Sequence, residues 1–213
     1  MHDRCFGRAQ ARVQAVSLAA GLVGWSFLSP RLPAVWRVAL QAGAGGLLVL
    51  LTHAPLGLRP PRLSAGLRLG SAAGAVAATA IAATTSVPAA RRSMVHRDLP
   101  ASVPGWLALR IPVGTVWAEE AAFRAALAHT GSGAFGNSGG RLLQAAAFGL
   151  SHIPDARAMG EPLLATVLAT GIGGWLFGWI ADRSGSLAAP LLVHLAINEA
   201  GAVAALAVQR RLR

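Results

Sequence analysis

The sequence predicts an all-α protein, a polytopic transmembrane bundle of about seven to eight helices around a central polar cavity. Of its 213 residues 54% are hydrophobic and only 13% are charged, and the mean hydropathy is +0.53. Apolar runs recur along nearly the whole length, and three of them contain ionisable or amide side chains. This profile is typical of a multi-pass membrane protein, and it excludes an ordinary soluble domain of this size.

Seven apolar runs are candidates for membrane spans, because a helix needs about 20 apolar residues to cross the hydrocarbon core. The fifth is short, and Pro154 with the polar residues after it ends the run, as expected where a helix end meets a water-accessible cavity. The seven runs are residues 13–28, 38–58, 69–90, 104–128, 142–153, 162–181 and 187–208.

These runs divide the chain into four parts. A basic N-terminal tail covers residues 1–12, and a first group of transmembrane helices covers residues 13–103. The polar motifs fall in a transmembrane region over residues 104–208, and a basic tail follows at 209–213. The first run lacks a convincing cleavage site, so it is expected to be a retained span. We expect an integral, multi-pass protein of the bacterial plasma membrane, with the lipid bilayer as its main partner.

The basic charge indicates membrane topology rather than nucleic-acid binding. The 19 basic residues, all arginine, outnumber 8 acidic ones and give a net charge of +11. They are spread singly or in small groups between apolar segments, as loop and headgroup charges are, without the clustered face that binds nucleic acid. Cys5 is the only cysteine, which excludes an intrachain disulfide and a multi-cysteine metal site.

The first polar motif is Glu119-Glu120-x-x-x-Arg124, inside the run 104–128. Each charge at mid-bilayer costs roughly 2.5 to 3.5 kcal/mol. Glu120 and Arg124 are four residues apart and share a helix face, so they are expected to pair. Glu119 is rotated by about 100° from Glu120. An unpaired carboxylate in a low-dielectric cavity is suited to act as a general base. The alternative is an ion pair for helix packing, with Glu119 as its solvated neighbour.

The second and third motifs also join residues one helical turn apart. They are Phe148-x-x-x-His152 and His194-x-x-x-Asn198. His152 is a candidate to bind the same water as Glu119, and His194 with Asn198 can supply donors to a developing oxyanion. The alternative for each is a hydrogen bond that only holds helices together. Because all three sites must be satisfied inside one bundle, their mutual proximity is favoured.

The order EExxxR, FxxxH and HxxxN on successive membrane helices resembles the CPBP family of intramembrane proteases. This family includes the CaaX endopeptidases and the bacterial Abi proteins, and the resemblance covers residues 104–208. It implies a bundle of about eight helices around a cavity and a glutamate-dependent protease that needs no cofactor. Residues 104–208 would then be the catalytic region.

The resemblance also implies a role for each motif residue. Glu119 would be the base that activates water, and His152 would help to hold that water. His194 and Asn198 would form the oxyanion site. The remaining three motif residues would be structural or substrate-positioning: Glu120, Arg124 and Phe148.

The function expected from this reasoning is an intramembrane endopeptidase that hydrolyses a peptide bond in a peptide or membrane-protein substrate. A zinc-dependent version of the same protease is the first alternative, because Glu119, His152 and His194 form a His₂Glu set that zinc hydrolases favour. The sequence has no HExxH motif. The second alternative is a non-enzymatic membrane protein for immunity, scaffolding or transport.

Overall fold

A computed structural model describes the backbone of residues 2–211 and the side chains of residues 7–33 and 35–211. All regular elements in this part are helical, so the all-α prediction is confirmed there. In chain order they are α1 His2–Leu28, a 3₁₀ turn Ser29–Arg31, α2 Ala34–Thr52, α3 Arg62–Thr84, α4 Pro88–Val95, α5 Val103–Gly105, the π-helices π1 Trp106–Trp117 and π2 Glu120–Leu127, α6 Ala128–Ser151, α7 Ile153–Met159, α8 Leu163–Ser184 and α9 Ala188–Arg210.

Five helices of the described residues are long and apolar enough to cross a membrane: Gly7–Arg31, Val35–Thr52, Arg62–Thr84, Leu163–Ser184 and Ala188–Arg210. The chain is therefore an integral, multi-pass membrane protein. The predicted spans 104–128 and 142–153 are not among the five. The first carries four charged residues, and the helix that contains the second is interrupted at Gly136. That these two segments also cross stays a prediction.

The observed helices have other bounds than the predicted spans; for example, α2 ends at Thr52 and α3 at Thr84, each six residues before the predicted end. Helix α1 begins at His2, so the basic segment before the first span is helical, while Met1 lies outside the described residues. The glycine-rich stretch 131–140, which lies between two predicted spans, is helical except at Gly136, whose φ of 75° breaks the helix there. Helix α9 continues through Arg210, and residues 212–213 of the predicted C-terminal tail are outside the description.

Glycines on α3 allow it to lie against α9, which carries the third motif. Gly66, Gly70 and Gly74 share one face of α3 because they are spaced by four. A Cβ atom at Gly70 would lie 2.8 Å from the backbone of Ala189, so no larger residue fits there without a shift. The two helices run parallel, since Gly66 faces Ser186 while Gly74 faces Ala196. This contact fixes the height of α9 in the bundle.

The second motif is held in place by α8. A Cβ atom at Gly174 would lie 3.0 Å from the Phe148 ring. Gln144 is fully buried and donates its amide Nε2 to the Gly174 carbonyl at 2.8 Å. Because a buried amide hydrogen bond is costly to break, it keeps α6 and α8 in one register.

Helices α1 and α2 are neighbours in sequence but pack on different partners. Helix α1 packs on α6, and α2 packs on π1 and π2, where Gly45 approaches the backbone of Ala118. Helices α1 and α2 make few contacts with each other. The gap between α1 and α2 is part of the cavity that Glu119 and His152 line.

Candidate active site

The EExxxR motif lies where two π-helical segments meet. Ala118 and Glu119 join the two segments, and Glu120 begins π2, which also contains Arg124. Wider π-helical turns are rare and are often found at functional sites. Glu120 and Arg124 are buried, whereas Glu119 is partly exposed. The two neighbouring glutamates therefore lie in different surroundings, as their helical positions predict.

Arg124 is held by one carboxylate and two aromatic rings. Its Nε atom lies 3.4 Å from Oε2 of Glu120, and both side chains are completely buried. Its guanidinium carbon lies 3.8 Å from the centre of the Phe148 ring and 5.0 Å from that of Phe177. No guanidinium nitrogen of Arg124 makes a hydrogen bond within the described residues. Its charge is balanced by the Glu120 carboxylate and by the ring faces.

His194 stands between the two glutamates. Its Nδ1 atom lies 2.8 Å from Oε1 of Glu120, and its Nε2 atom lies 3.8 Å from Oε2 of Glu119. An ionised carboxylate only accepts hydrogen bonds, so Nδ1 is the donor to Glu120. Phe177 packs beside the imidazole at a ring distance of 5.2 Å. Helix α9 thus links the buried ion pair to the more exposed glutamate.

Glu119 and His152 line one cavity of about 620 Å³. The Glu119 side chain is 29% exposed, in contrast to the buried Glu120. The cavity wall comes from α1, α2, π1 and the region where α6 meets α7. Polar residues contribute at several heights: Ser26, Ser29, Arg37, Gln41, Arg110, Thr115, Ser151 and Asp155. A water molecule and a peptide both have room beside Glu119.

His152 follows the last residue of α6 and is held by its own helix. Its Nδ1 atom lies 2.8 Å from the Phe148 carbonyl oxygen, which makes Nδ1 the donor. The His152 ring meets the Phe148 ring edge to face at 4.6 Å. In the neutral imidazole the Nε2 lone pair is then left to accept a hydrogen bond from water. Phe148 therefore connects His152 with the buried Arg124.

The two residues of the third motif lie beside the cavity rather than in its wall. Neither His194 nor Asn198 is among the residues that line the cavity. The Asn198 amide donates to the His194 carbonyl oxygen at 3.1 Å, one turn back along the same helix. His194 reaches the site through its contacts with the two glutamates. The structure thus brings six of the seven motif residues together, whereas Asn198 is bonded to its own helix.

Glu119, His152 and His194 are the candidate ligands of a zinc ion. Within the described residues no group of three or more His, Cys, Asp or Glu side chains is arranged to hold a metal ion. The Nδ1 atoms of both histidines face an oxygen of the protein, one of Phe148 and one of Glu120, so Nε2 is the ring nitrogen that remains on each. The zinc-dependent alternative stays a prediction.

Several cavity residues come from parts of the sequence to which the motifs gave no role. Arg37 and Gln41 of α2, and Arg110 of π1, share the cavity with Glu119. Gln41 is an isolated amide in an apolar run, and Arg110 is an isolated charge in another. Their isolation in the sequence could therefore have indicated that they line a polar cavity. Phe177, which packs against Arg124 and His194, is one apolar residue among many in α8, so its position could not be inferred in this way.

Comparison with known proteins gives a family assignment for the region that carries the three motifs. Residues 101–200 match the family model described as type II CAAX prenyl endopeptidase Rce1-like. No curated protein and no solved structure matches the chain. The matched range includes Glu119, His152 and Asn198, and the resemblance seen in the sequence is confirmed. Residues 101–200 of this membrane protein are therefore similar to the Rce1-like type II CAAX prenyl endopeptidases.

Proposed function

We propose that the protein is an intramembrane endopeptidase that hydrolyses a peptide bond with a water molecule activated by Glu119. The observation that supports this best is the contrast between two adjacent carboxylates. Glu120 is buried against Arg124 and His194, while Glu119 reaches a cavity that it shares with His152. A general base must be able to contact the water that it activates, and of this pair only Glu119 lines the cavity.

In the proposed reaction Glu119 takes a proton from a water molecule as the water oxygen attacks the peptide carbonyl carbon. The Nε2 atom of His152 accepts the other hydrogen of that water and orients it. A bond forms between the water oxygen and the carbonyl carbon, and the carbonyl oxygen becomes an oxyanion. Glu119 then gives its proton to the peptide nitrogen as the carbon–nitrogen bond breaks, and it is regenerated as a carboxylate.

His194 and Asn198 are proposed to stabilise the oxyanion, as the family resemblance implies. The Nδ1 proton of His194 is committed to Glu120, so His194 donates from Nε2 only as the imidazolium. The Asn198 amide uses one N–H for the His194 carbonyl and retains a second N–H. Glu120 and Arg124, packed by Phe148, hold this group in place.

The proposed substrate is a peptide or membrane protein with a CaaX-type end, as the description of the matching family suggests. The substrate reaches the site from the bilayer. The cavity lies between α1 and α2, which pack on different partners, and α2 exposes Leu40, Leu47 and Leu51 on its surface. An apolar substituent such as a prenyl group can lie in this opening while the peptide extends to Glu119.

A cleavage assay with the whole protein tests this function. Protein purified in detergent or nanodiscs is incubated with an S-farnesylated peptide that ends in a CaaX sequence, and products are identified by mass spectrometry. We expect one cleavage position with the wild type and none with Glu119→Gln. Glu161→Gln is the matched control, because Glu161 is an exposed glutamate at the start of α8, outside the cavity. Equal cleavage by wild type and Glu119→Gln would overturn the proposal.

A further inference from the structure

Two arginines at one end of the cavity suggest a role that the motifs do not cover. We propose that Arg37 and Arg110 form a subsite that binds the C-terminal carboxylate of the substrate and thereby fixes which peptide bond lies at Glu119. This inference rests on the proposed function, and it identifies the residues that bind the C-terminal end of the peptide. Both arginines line the cavity that contains Glu119 and His152.

The packing of α2 on π1 places these arginines at similar heights. A Cβ atom at Gly114 would lie 3.0 Å from the side chain of Val38, so the two helices approach closely there. Arg37 is adjacent to Val38, and Arg110 lies one turn before Gly114 on the facing helix. The two guanidinium groups therefore belong to the same end of the cavity.

Both arginines have donors that the protein leaves unused. Arg37 donates from Nη2 to the carbonyl oxygens of Pro30 and Leu32, each at 2.9 Å, which holds its side chain in place. Its Nε atom is buried and has no hydrogen-bond partner within the described residues. Arg110 forms no ion pair in that same part of the chain, although Asp155 lines the same cavity. With Glu119, two carboxylates and two guanidinium groups line the cavity, and neither arginine is paired with a carboxylate within the described residues.

The distance from this end of the cavity to Glu119 matches a short peptide. Arg110 precedes Glu119 by nine residues, about 13 Å along an α-helix and less in wider π-helical turns. Extended peptide spans about 3.3 to 3.6 Å per residue, so three to four residues bridge this gap. A carboxylate held by the arginines would place a bond near the C-terminus against Glu119.

Guanidinium groups bind carboxylate and phosphate oxygens equally well in geometric terms, so a lipid phosphate is the competing ligand. The peptide carboxylate is favoured because the arginines share their cavity with Glu119 and His152. Gln41 and Thr115 line the same cavity and offer hydrogen bonds to a peptide backbone. The acyl chains of a phospholipid cannot form hydrogen bonds with these side chains.

A binding experiment separates this inference from the question of catalysis. Glu119→Gln protein in zwitterionic nanodiscs is titrated with a fluorescent S-farnesylated CaaX peptide carrying a free carboxylate, or with the same peptide as its C-terminal amide. We expect the carboxylate peptide to bind about tenfold tighter, as for one added charge-assisted contact. Adding Arg110→Gln should remove this difference, whereas Arg157→Gln, an exposed arginine of α7 outside the cavity, should preserve it.

The main test uses Arg110, because Arg37 also holds the loop between α1 and α2 and its removal could disturb that loop. The variant Arg37→Lys keeps a charge at that position and should weaken the preference for the carboxylate only in part. Arg110→Glu should reverse the preference, so that a peptide with a C-terminal aminoethyl amide binds better than the carboxylate form. Equal binding of carboxylate and amide peptides by the Glu119→Gln protein overturns the inference, as does displacement of both peptides alike by phosphatidylglycerol. Either result leaves cleavage by the wild type, and hence the proposed function, standing.

Discussion

The Nδ1 atom of His194 lies 2.8 Å from the carboxylate of Glu120, and this contact distinguishes the two adjacent glutamates. Glu120 is occupied by His194 and Arg124, whereas the nearest charged partner of Glu119 is the other side of the same imidazole, at 3.8 Å. We therefore propose that Glu120 positions His194 and that Glu119 exchanges a proton with a water molecule in the cavity.

Glu119→Gln should reduce kcat by about 10²- to 10⁴-fold, the range typical of a general base. The amide keeps the size and hydrogen bonding of the carboxylate but cannot take the proton from water. Because Glu119 is partly exposed, the melting temperature of the detergent-solubilised protein should stay close to that of the wild type. Turnover and thermal unfolding measured on one preparation check both parts. A variant that melts much earlier would indicate a structural role for Glu119.

Glu120→Gln should instead destabilise the protein, by up to roughly 3 to 5 kcal/mol for a buried pair. It leaves the buried Arg124 guanidinium without a counter-charge and weakens the acceptor for His194. The melting temperature and the yield of folded protein should fall together with activity. Normal yield and normal melting would contradict the buried pair.

Exchange of the two charges, Glu120→Arg with Arg124→Glu, should not restore stability. The exchanged carboxylate would face the rings of Phe148 and Phe177, and the exchanged guanidinium would face the His194 donor. Thermal unfolding of the double variant, compared with Glu120→Gln, is the measurement. Recovery to near the wild-type melting temperature would show that the ion pair matters and its aromatic surroundings do not.

Arg124→Lys should lower stability by about 1 to 2 kcal/mol even though it keeps the charge. A planar guanidinium stacks on the Phe148 and Phe177 rings, which an ammonium group cannot do in the same way. Arg141→Lys is the control, because Arg141 is near the Trp175 ring at 5.4 Å but pairs with the exposed Asp182. Only the Arg124 variant should melt measurably earlier.

The sequence was sufficient to predict the helical class and the local pairing on each helix. Glu120 and Arg124 are four residues apart, and that spacing alone places them on one face. It was not sufficient to predict which helix faces which, because apolar runs have no directional signal in a membrane. The contact of His194 with Glu120 depends on how α9 is rotated and how high it lies beside α3, and glycines such as Gly70 determine both.

The lining of the cavity, too, could not be predicted from the sequence alone. Its wall includes Arg37 and Gln41, which lie before the region of family resemblance and match no motif. Their importance arises because α1 packs on α6 while α2 packs on π1, which leaves space between them. Such a space depends on non-local packing. Isolated polar residues in apolar runs were the one available signal, since burying them is costly.

Exhaustive chelation should leave peptidase activity unchanged if Glu119 acts without a metal. In the proposed reaction Glu119 takes the proton from water and His152 orients that water, so the step needs no metal ion. Elemental analysis of the purified protein and an assay after dialysis against a strong chelator provide the check. Loss of activity that returns on adding zinc would support the zinc-dependent alternative, in which Glu119 and the Nε2 atoms of His152 and His194 would bind the ion.

Asn198→Asp should lower kcat by about 10²- to 10³-fold with little change in KM, as loss of one oxyanion donor does elsewhere. The substitution keeps the size of the side chain and removes both N–H groups, the one bonded to the His194 carbonyl and the one proposed for the oxyanion. A purely structural role would act through the first bond alone. Asn198→Ser separates the two roles, because a serine hydroxyl can bond to the carbonyl one turn back and then has no further hydrogen to donate to an oxyanion. We therefore expect Asn198→Ser to melt like the wild type yet turn over as slowly as Asn198→Asp. Full activity in the serine variant would limit Asn198 to holding its own helix and leave His194 as the oxyanion donor on α9.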